Sequence, residues 1–463
     1  MKLEVRSIDF IPETERHGKV QNLFFIWFSA NMQITTIVTG ALGVVLGLNL
    51  TGALLAIVIG NVFGAVFMAY HSAQGPKLGI PQMIQSRAQF GFYGAILPLI
   101  LVVVMYLGYF ATSAVLGGQA LAGWLGVPMD LAIIIVSVVN IVLAVVGYDL
   151  IHQYERWAGY LFAVVFAILT IRLLTLYPAD AFAGGRFAWS TFLLAVSISA
   201  TWQITYAPYV ADYSRYLPAD TSINQCFGYT YLGSVLATVW MMAIGAVSMS
   251  VAAKAFNANS VAFIADKVGG PLANLVFPVI VLGIIGVNVL NLYGAFMSTT
   301  TTLHALKPWH FGIGSRVGIV LAAGIVGTTL AIWGQGNFLN NYSNFLLMLL
   351  YVLIPWTAIN LMDFYVIRRG HYDISSILRP GGRYPAFNLR ALLTFVLTVV
   401  IEIPFINTTL YEGPVAKAMG GADISWIVGL IVASVLYYVL MRSERVSQET
   451  GLTNMPDKNL PAG

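Results

Sequence analysis

Three features predict an all-α integral membrane protein of about 12 transmembrane helices: composition, the spacing of apolar runs and the sidedness of the basic residues. Of 463 residues, 58% are hydrophobic and 9% charged, with a mean hydropathy of +0.81; an ordinary soluble domain carries about 25% charged residues. No Asp, Glu, Lys or Arg interrupts the chain from Gln21 to Tyr70, which at about 20 residues per crossing is room for two helices and a tight turn. Apolar runs bounded by charge or turn residues centre near residues 36, 61, 106, 139, 165, 199, 237, 284, 323, 353, 398 and 432, and these define spans 1 to 12. With the N-terminus placed in the cytoplasm, only Arg172, Arg186, Lys254, Lys267 and Lys417 of the 23 Lys and Arg fall on the other side. Lys2, Arg6, Arg16, Lys19, Arg368, Arg369, Arg379, Arg383 and Arg390 are among those inside, a bias that predicts both termini in the cytoplasm of a multi-pass inner-membrane protein.

The net charge of +4 therefore marks sidedness, and a nucleic-acid partner has no support. The first 20 residues, MKLEVRSIDFIPETERHGKV, mix both signs of charge without a cleavable signal pattern, so insertion is expected to use span 1 itself. They read as a cytoplasmic tail, residues 21–443 as one transmembrane domain and 444–463 as a second tail. The single cysteine, Cys226, allows no intrachain disulfide or thiolate metal cluster and reads as a buried apolar residue.

Span 1 carries SANMQIT at 29–35 and span 6 carries SATWQIT at 199–205. An offset of five helices makes the two cross in opposite directions, as in an inverted repeat. Transporters with two inverted five-helix repeats build their site from the unwound middles of the first helix of each repeat, where free backbone groups face a cavity. The repeats are expected at about 21–178 and 188–370, with helices 11 and 12 added at about 388–443. Pro208 in TYAPYVADY supplies a break in span 6, because it lacks an amide donor and disfavours helix at Ala207. Span 1 has no proline, but Gly40 and Gly43 follow its polar cluster. The competing use of these Ser, Gln and Thr side chains is packing between helices.

Spans 3 and 8 also place polar groups at mid-membrane depth. In YLGYFATSAVLGGQAL, Tyr109 and Ser113 stand four apart and share a helix face, with Gln119 beyond. In GIIGVNVLNLYGAFMS, Asn288 and Asn291 are three apart, again on one face, and an Asn in hydrocarbon is costly unless paired. The candidate groups are the amides Asn31, Gln33, Gln203, Asn288 and Asn291, the hydroxyls Ser29 and Ser113, and the rings Tyr109, Trp202 and Tyr206. None is charged. Amides offer donor and acceptor side by side and aromatic faces stack, so a planar, uncharged, hydrogen-bonding solute is the natural guest.

Enzyme motifs are missing: HExxH, GxxxxGK[ST] and GxSxG do not occur, and the six His do not cluster as metal ligands. Glu402 in VVIEIPF is the carboxylate well inside a predicted span and is a functional candidate on that ground, with helix pairing as the other reading.

Several segments together resemble the nucleobase-cation symporters, also called purine/cytosine permeases. They are WFSANMQITTIVTGALG, the LGGQ end of span 3, GYDLIHQYERW, YAPYVADYSRYLP, NVLNLYG and NLMDFYVIRRGHYD, in order along nearly the whole chain. SAN, LGGQ and ADYSRYLP look closest to the purine/cytosine branch. The resemblance implies two inverted five-helix repeats plus two extra helices, discontinuous helices 1 and 6, and a nucleobase held between helices 1, 3, 6 and 8. By position, Ser29 and Gln33 would contact it, and Tyr109 would replace the stacking aromatic, commonly Trp. Ser113 falls where relatives carry an amide four residues later. In span 6 the carry-over leaves Gln203, Tyr206 and the adjacent Trp202 open, and Asn288 and Asn291 match the polar positions of span 8. Sodium-coupled relatives place a Ser/Thr pair before the first of these, whereas this chain has Gly286 and Val287; a hard cation needs oxygen ligands.

The expected function is import of neutral nucleobases (cytosine, adenine, guanine, hypoxanthine) by a symporter without cofactor or metal, as a monomer or weak oligomer. H+ is expected as the coupling ion ahead of Na+, with Asp212 and Glu402 as candidate carriers. Competing readings are a sodium-coupled transporter of a related heterocycle (uracil, allantoin, hydantoin or a thiamine precursor) and an uncoupled facilitator or channel.

Overall fold

In the computed structural model, which describes residues 9–146, 148–307 and 313–449 but not the side chains of 146–160, 179, 313 and 445–449, each of the twelve expected span centres falls within a helix. Among the described residues, strand-like pairing is limited to two isolated bridges, Leu48 with Arg186 and Asn407 with Glu412. Among the described residues six helical stretches are long and apolar enough to cross a membrane, or seven if one bent pair counts as a span.

That bent pair is span 1. Its halves, α1 (Asn22–Asn31) and α2 (Ile34–Val45), meet at 61° across Met32 and Gln33. Asn49 then caps α3 (Leu50–Ser72) by accepting the Gly52 amide at 2.9 Å, the usual role of Asn before a helix. The short α4 (Gly75–Leu78) and α5 (Gln82–Phe90) lead into α6 (Ile96–Leu125), α7 (Met129–Val146) and α8 (Tyr148–Leu176). Span 6 is again divided, into α9 (Trp189–Ile204) and α10 (Val210–Ser214). There follow α11 (Ile223–Ala258), kinked at Ala252, the short α12 (Ser260–Val268), α13 (Ala273–Leu306), α14 (Ile313–Gly334) and α15 (Phe338–Leu361). A π turn over Met362–Ile367 closes span 10. Then come α16 (Ile374–Leu378), α17 (Leu389–Glu402), α18 (Pro414–Ala418) and α19 (Ser425–Glu449).

Packing sorts the spans into two groups. Spans 1, 2, 6 and 7 (α1/α2, α3, α9/α10, α11) pack on one another, and so do spans 3, 4, 8 and 9 (α6, α7, α13, α14). Adding five to the first two members of each set gives the last two, as two five-helix repeats require. Gly40 and Gly43, which the sequence offered as break signals, lie inside the regular helix α2. Their service is contact: a Cβ at Gly40 would stand 2.0 Å from the Met242 carbonyl oxygen, and one at Gly245 1.7 Å from that of Ile37. Thus α2 and α11 touch backbone to backbone, as small residues permit in membrane bundles.

The described ends of the chain gather on one face. Ile11 donates its amide to Gly79, His17 to Tyr216, and Arg368 pairs with Glu444 at 2.8 Å. Beneath them Asp363 accepts from Tyr372 (2.6 Å), Tyr437 (2.8 Å) and Arg368 (3.1 Å), tying the end of span 10 to α19. On the bundle exterior, Leu55, Phe63, Ile100, Val104, Val138 and Val142 are exposed, the surface expected against hydrocarbon.

Candidate functional site

The two helix breaks open onto a small, partly open cavity of about 40 Å³ between the packing groups. At the span 1 break Gln33 is extended (φ −143°, ψ 158°), which turns its amide out of the helix. Its Nε2 donates to the Ala30 carbonyl at 2.9 Å, and its Oε1 is buried without a partner. Span 6 stays helical through Ile204 and resumes at Val210, with Pro208 inside the gap, so its break brings Thr205, Tyr206 and Tyr209 to the cavity wall.

Six sequence-derived candidates line the cavity: Gln33, Tyr109, Ser113, Trp202, Tyr206 and Asn291. The rings form an edge-on cage. Tyr109 meets Trp202 at 6.1 Å and 83°, and Trp202 meets Tyr206 at 5.9 Å and 88°. The Tyr109 hydroxyl is 2.8 Å from Thr205 Oγ1, which itself donates to the Trp202 carbonyl. Three lining atoms are buried and unpartnered: Gln33 Oε1, Thr35 Oγ1 and Ser113 Oγ. A buried polar atom without a hydrogen bond costs on the order of 1–3 kcal/mol, so three around one space form a ready set of partners for a polar guest. No charged side chain lines the space.

Four candidates sit elsewhere. Ser29 is exposed on α1. Asn31 is fully buried, and its Oδ1 accepts from Trp202 Nε1 (2.7 Å) and the Tyr206 hydroxyl (3.0 Å) while its Nδ2 donates to the Trp27 carbonyl and Ser234 Oγ. It therefore aims two cage rings from behind. Gln203 is still inside α9; its Nε2 donates to Asn61 (2.9 Å) and Thr238 (3.1 Å), and its Oε1 accepts from Ser234 (2.6 Å). Asn288 donates to the Phe110 carbonyl and accepts from Asn291 at 3.2 Å, so it orients the Asn that faces the cavity.

The two acids are also outside the cavity. Asp212 on α10 accepts the Gln82 amide at 2.7 Å, at the start of α5. Glu402 ends α17, fully buried. Gln119 accepts from Asn259 and Ser260 beside α12. Among the described residues no cluster of His, Cys, Asp and Glu could hold a metal ion.

Sequence reasoning did not name Tyr106, Tyr209, Thr35, Thr205 or Met105 as site residues, and it weighed Val287 only as a missing ion ligand. Tyr106 had a signal, since it stands three before Tyr109 on the same helix face. Tyr209, directly after Pro208, had none, because its aim depends on how far the gap extends.

Comparison with known proteins places this geometry in a wider group. Residues 10–429 match the family described as permease for cytosine/purines, uracil, thiamine, allantoin. YxlA of Bacillus subtilis (strain 168), described as a purine-cytosine permease, is 47% identical over 443 residues, covering 96% of each chain. The purine-cytosine permease fcyB of Emericella nidulans is 26% identical, covering 95% of this chain and 88% of its own. In fold, the chain is similar to the inward-facing conformation of Mhp1 (TM-score 0.78, 19% identity, 97% and 95% covered) and to Mhp1, a nucleobase-cation-symport-1 family transporter, closed with bromovinylhydantoin bound (TM-score 0.76, 20% identity, 96% of each).

Proposed function

The chain belongs to the family of permeases for cytosine/purines, uracil, thiamine and allantoin, and from that premise we propose that it imports neutral nucleobases, cytosine and purines foremost, together with protons. It is a membrane transporter and not an enzyme. The observation that carries the substrate class is the set of three open hydrogen-bonding atoms on Gln33, Thr35 and Ser113 inside a cage of Tyr109, Trp202 and Tyr206 that holds no charge. A purine or cytosine has donors and acceptors at its edge and a flat π face, and neither needs a counter-charge. The purine-cytosine names of YxlA and fcyB agree with this choice.

In this reading, Gln33, Ser113 and Asn291 meet the edge of the base while Tyr109, Trp202 and Tyr206 enclose its faces. Asn31 and Asn288 are positioning residues that hold Trp202, Tyr206 and Asn291. Proton coupling is supported by Gly286 and Val287, whose side chains offer no oxygen to a hard cation. The excess of Arg and Lys on the face of the termini supports a cytoplasmic location for that face.

The test is uptake of labelled cytosine in cells lacking their own permeases, with adenine, guanine, hypoxanthine, uracil and allantoin as competitors, with and without sodium and with a protonophore. Uptake blocked by purines, indifferent to sodium and abolished by the protonophore is expected. Sodium-dependent uptake would overturn the proton, and absence of cytosine and purine uptake would overturn the substrate.

A further inference from the structure

We propose that Glu402 and Asp423, a pair of buried carboxyl groups on the face opposite the chain's termini, form the site where the transported proton is held, with Glu402 as its carrier. The inference rests on the proton-coupled reading above and names its residue. Helix α17 is only 14 residues long, about 21 Å at about 1.5 Å per residue, short of the roughly 30 Å hydrocarbon core. Its last residue, Glu402, is fully buried, and the span runs on as a 3-10 turn over Ile403–Phe405 into the loop before α19.

The two acids have opposite surroundings. Asp423 is fully buried and spends both oxygens as acceptors: Oδ2 from the Tyr351 hydroxyl (2.5 Å) and the Asn407 amide (2.9 Å), Oδ1 from the Ser425 amide (2.9 Å) and hydroxyl (2.6 Å). Acceptance on every side is the pattern of a carboxylate. Glu402 is equally buried, but neither of its oxygens has a partner. The space for it is made by Gly429, where a Cβ would stand 1.4 Å from Glu402 Oε1. The titratable groups that act on Glu402 are Asp423 and Tyr351; Glu412 and Lys417 of the loop before α19 are exposed. Among the described residues no cation pairs with it. An unpaired carboxylate beside a second one in a low-dielectric interior is strongly disfavoured, so one of the two must carry a proton, and the one without donors is Glu402.

The pair also touches elements that reach the cavity. The Asp423 carbonyl accepts from Ser197 Oγ on α9, the helix that carries Trp202. Tyr351 belongs to α15, whose Phe345 packs edge-on against Tyr109 at 5.3 Å and whose Tyr342 bonds Thr39 of α2 at 2.8 Å. A shift of α15 or α9 that accompanies closure over substrate would change the environment of the pair. Proton binding forms one O–H bond on Glu402 with a proton taken from hydronium, which leaves water.

The experiment uses the purified full chain in liposomes, comparing Glu402→Gln with the unsubstituted protein for cytosine counterflow and for proton movement accompanying cytosine uptake. Gln keeps the shape of the neutral acid but cannot release a proton. The expected result is retained counterflow with loss of cytosine-coupled proton movement. Glu402→Gln that still moves protons with cytosine would overturn the assignment, whereas an unsubstituted protein that moves none would overturn the proton-coupled reading itself. Infrared difference spectra of the unsubstituted protein supply an arm that does not depend on the variant folding. A protonated-carboxyl band present at neutral pH and altered by cytosine supports the site, and absence of such a band sinks it.

Discussion

Gln33 and Gln203 occupy the same place in SANMQIT and SATWQIT, and the fold gives them different work. Gln33 stands in the break of span 1, extended, with its Oε1 open to the cavity. Gln203 remains in helix, its amide spent on Asn61, Thr238 and Ser234. The two breaks are offset relative to the repeated motif. Span 1 breaks within it, at Met32 and Gln33, and span 6 breaks after its last helical residue, Ile204, with Pro208 in the gap. A repeated motif thus marks where two helices are interrupted without fixing which of its residues is turned out. In span 6 the gap presents aromatic rings, and in span 1 it presents an amide.

The largest effect should come from closing the space that seats the second half of span 1. Gly245→Ala puts a methyl group 1.7 Å from the Ile37 carbonyl oxygen, where neither backbone can yield without separating α2 from α11. Overpacking of this kind costs about 3 kcal/mol or more. Thermal unfolding in detergent should show a strongly destabilised protein, and a variant as stable as its parent would mean that the two helices are not in backbone contact.

The paired glutamines give the sharpest test. Gln203→Leu strands Asn61 and Ser234, each at a cost of about 1–3 kcal/mol, and should lower the unfolding temperature. Gln33→Leu should leave stability near that of the parent and abolish cytosine binding, measured by equilibrium binding to purified protein. If both variants behave alike in both assays, the distinction drawn between the two breaks fails.

Asn288→Ala should weaken binding by releasing Asn291, while the protein still inserts and folds; unchanged transport would remove span 8 from the site. The smallest effect is expected from Tyr109→Phe, which keeps the ring and loses only the bond to Thr205. A hydrogen bond of this type contributes about 1 kcal/mol, so affinity should fall by no more than about tenfold, whereas Tyr109→Ala should cost more through loss of the ring.

Much of the architecture was legible because its causes are local. Charge-free runs of membrane length place the spans, and Pro208 interrupts span 6 wherever its neighbours lie. The span 1 break was anticipated from its polar cluster, but Gly40 and Gly43 were misjudged as part of it. A glycine signals either a bend or a close approach, and only the presence of Met242 across the interface decides between them.

What the sequence by itself determined is the class of protein, the order of its spans, their grouping into a family, and the store of uncharged amides and rings from which a site could be made. Tertiary structure alone decided which amides face the cavity and which are spent in packing, and it brought Asp423 beside Glu402. The physical reason is that an amide or acid in an apolar bundle takes its role from whichever partner reaches it. For Gln203 that partner is Asn61, which is 142 residues away, and for Glu402 no hydrogen-bond partner reaches it at all.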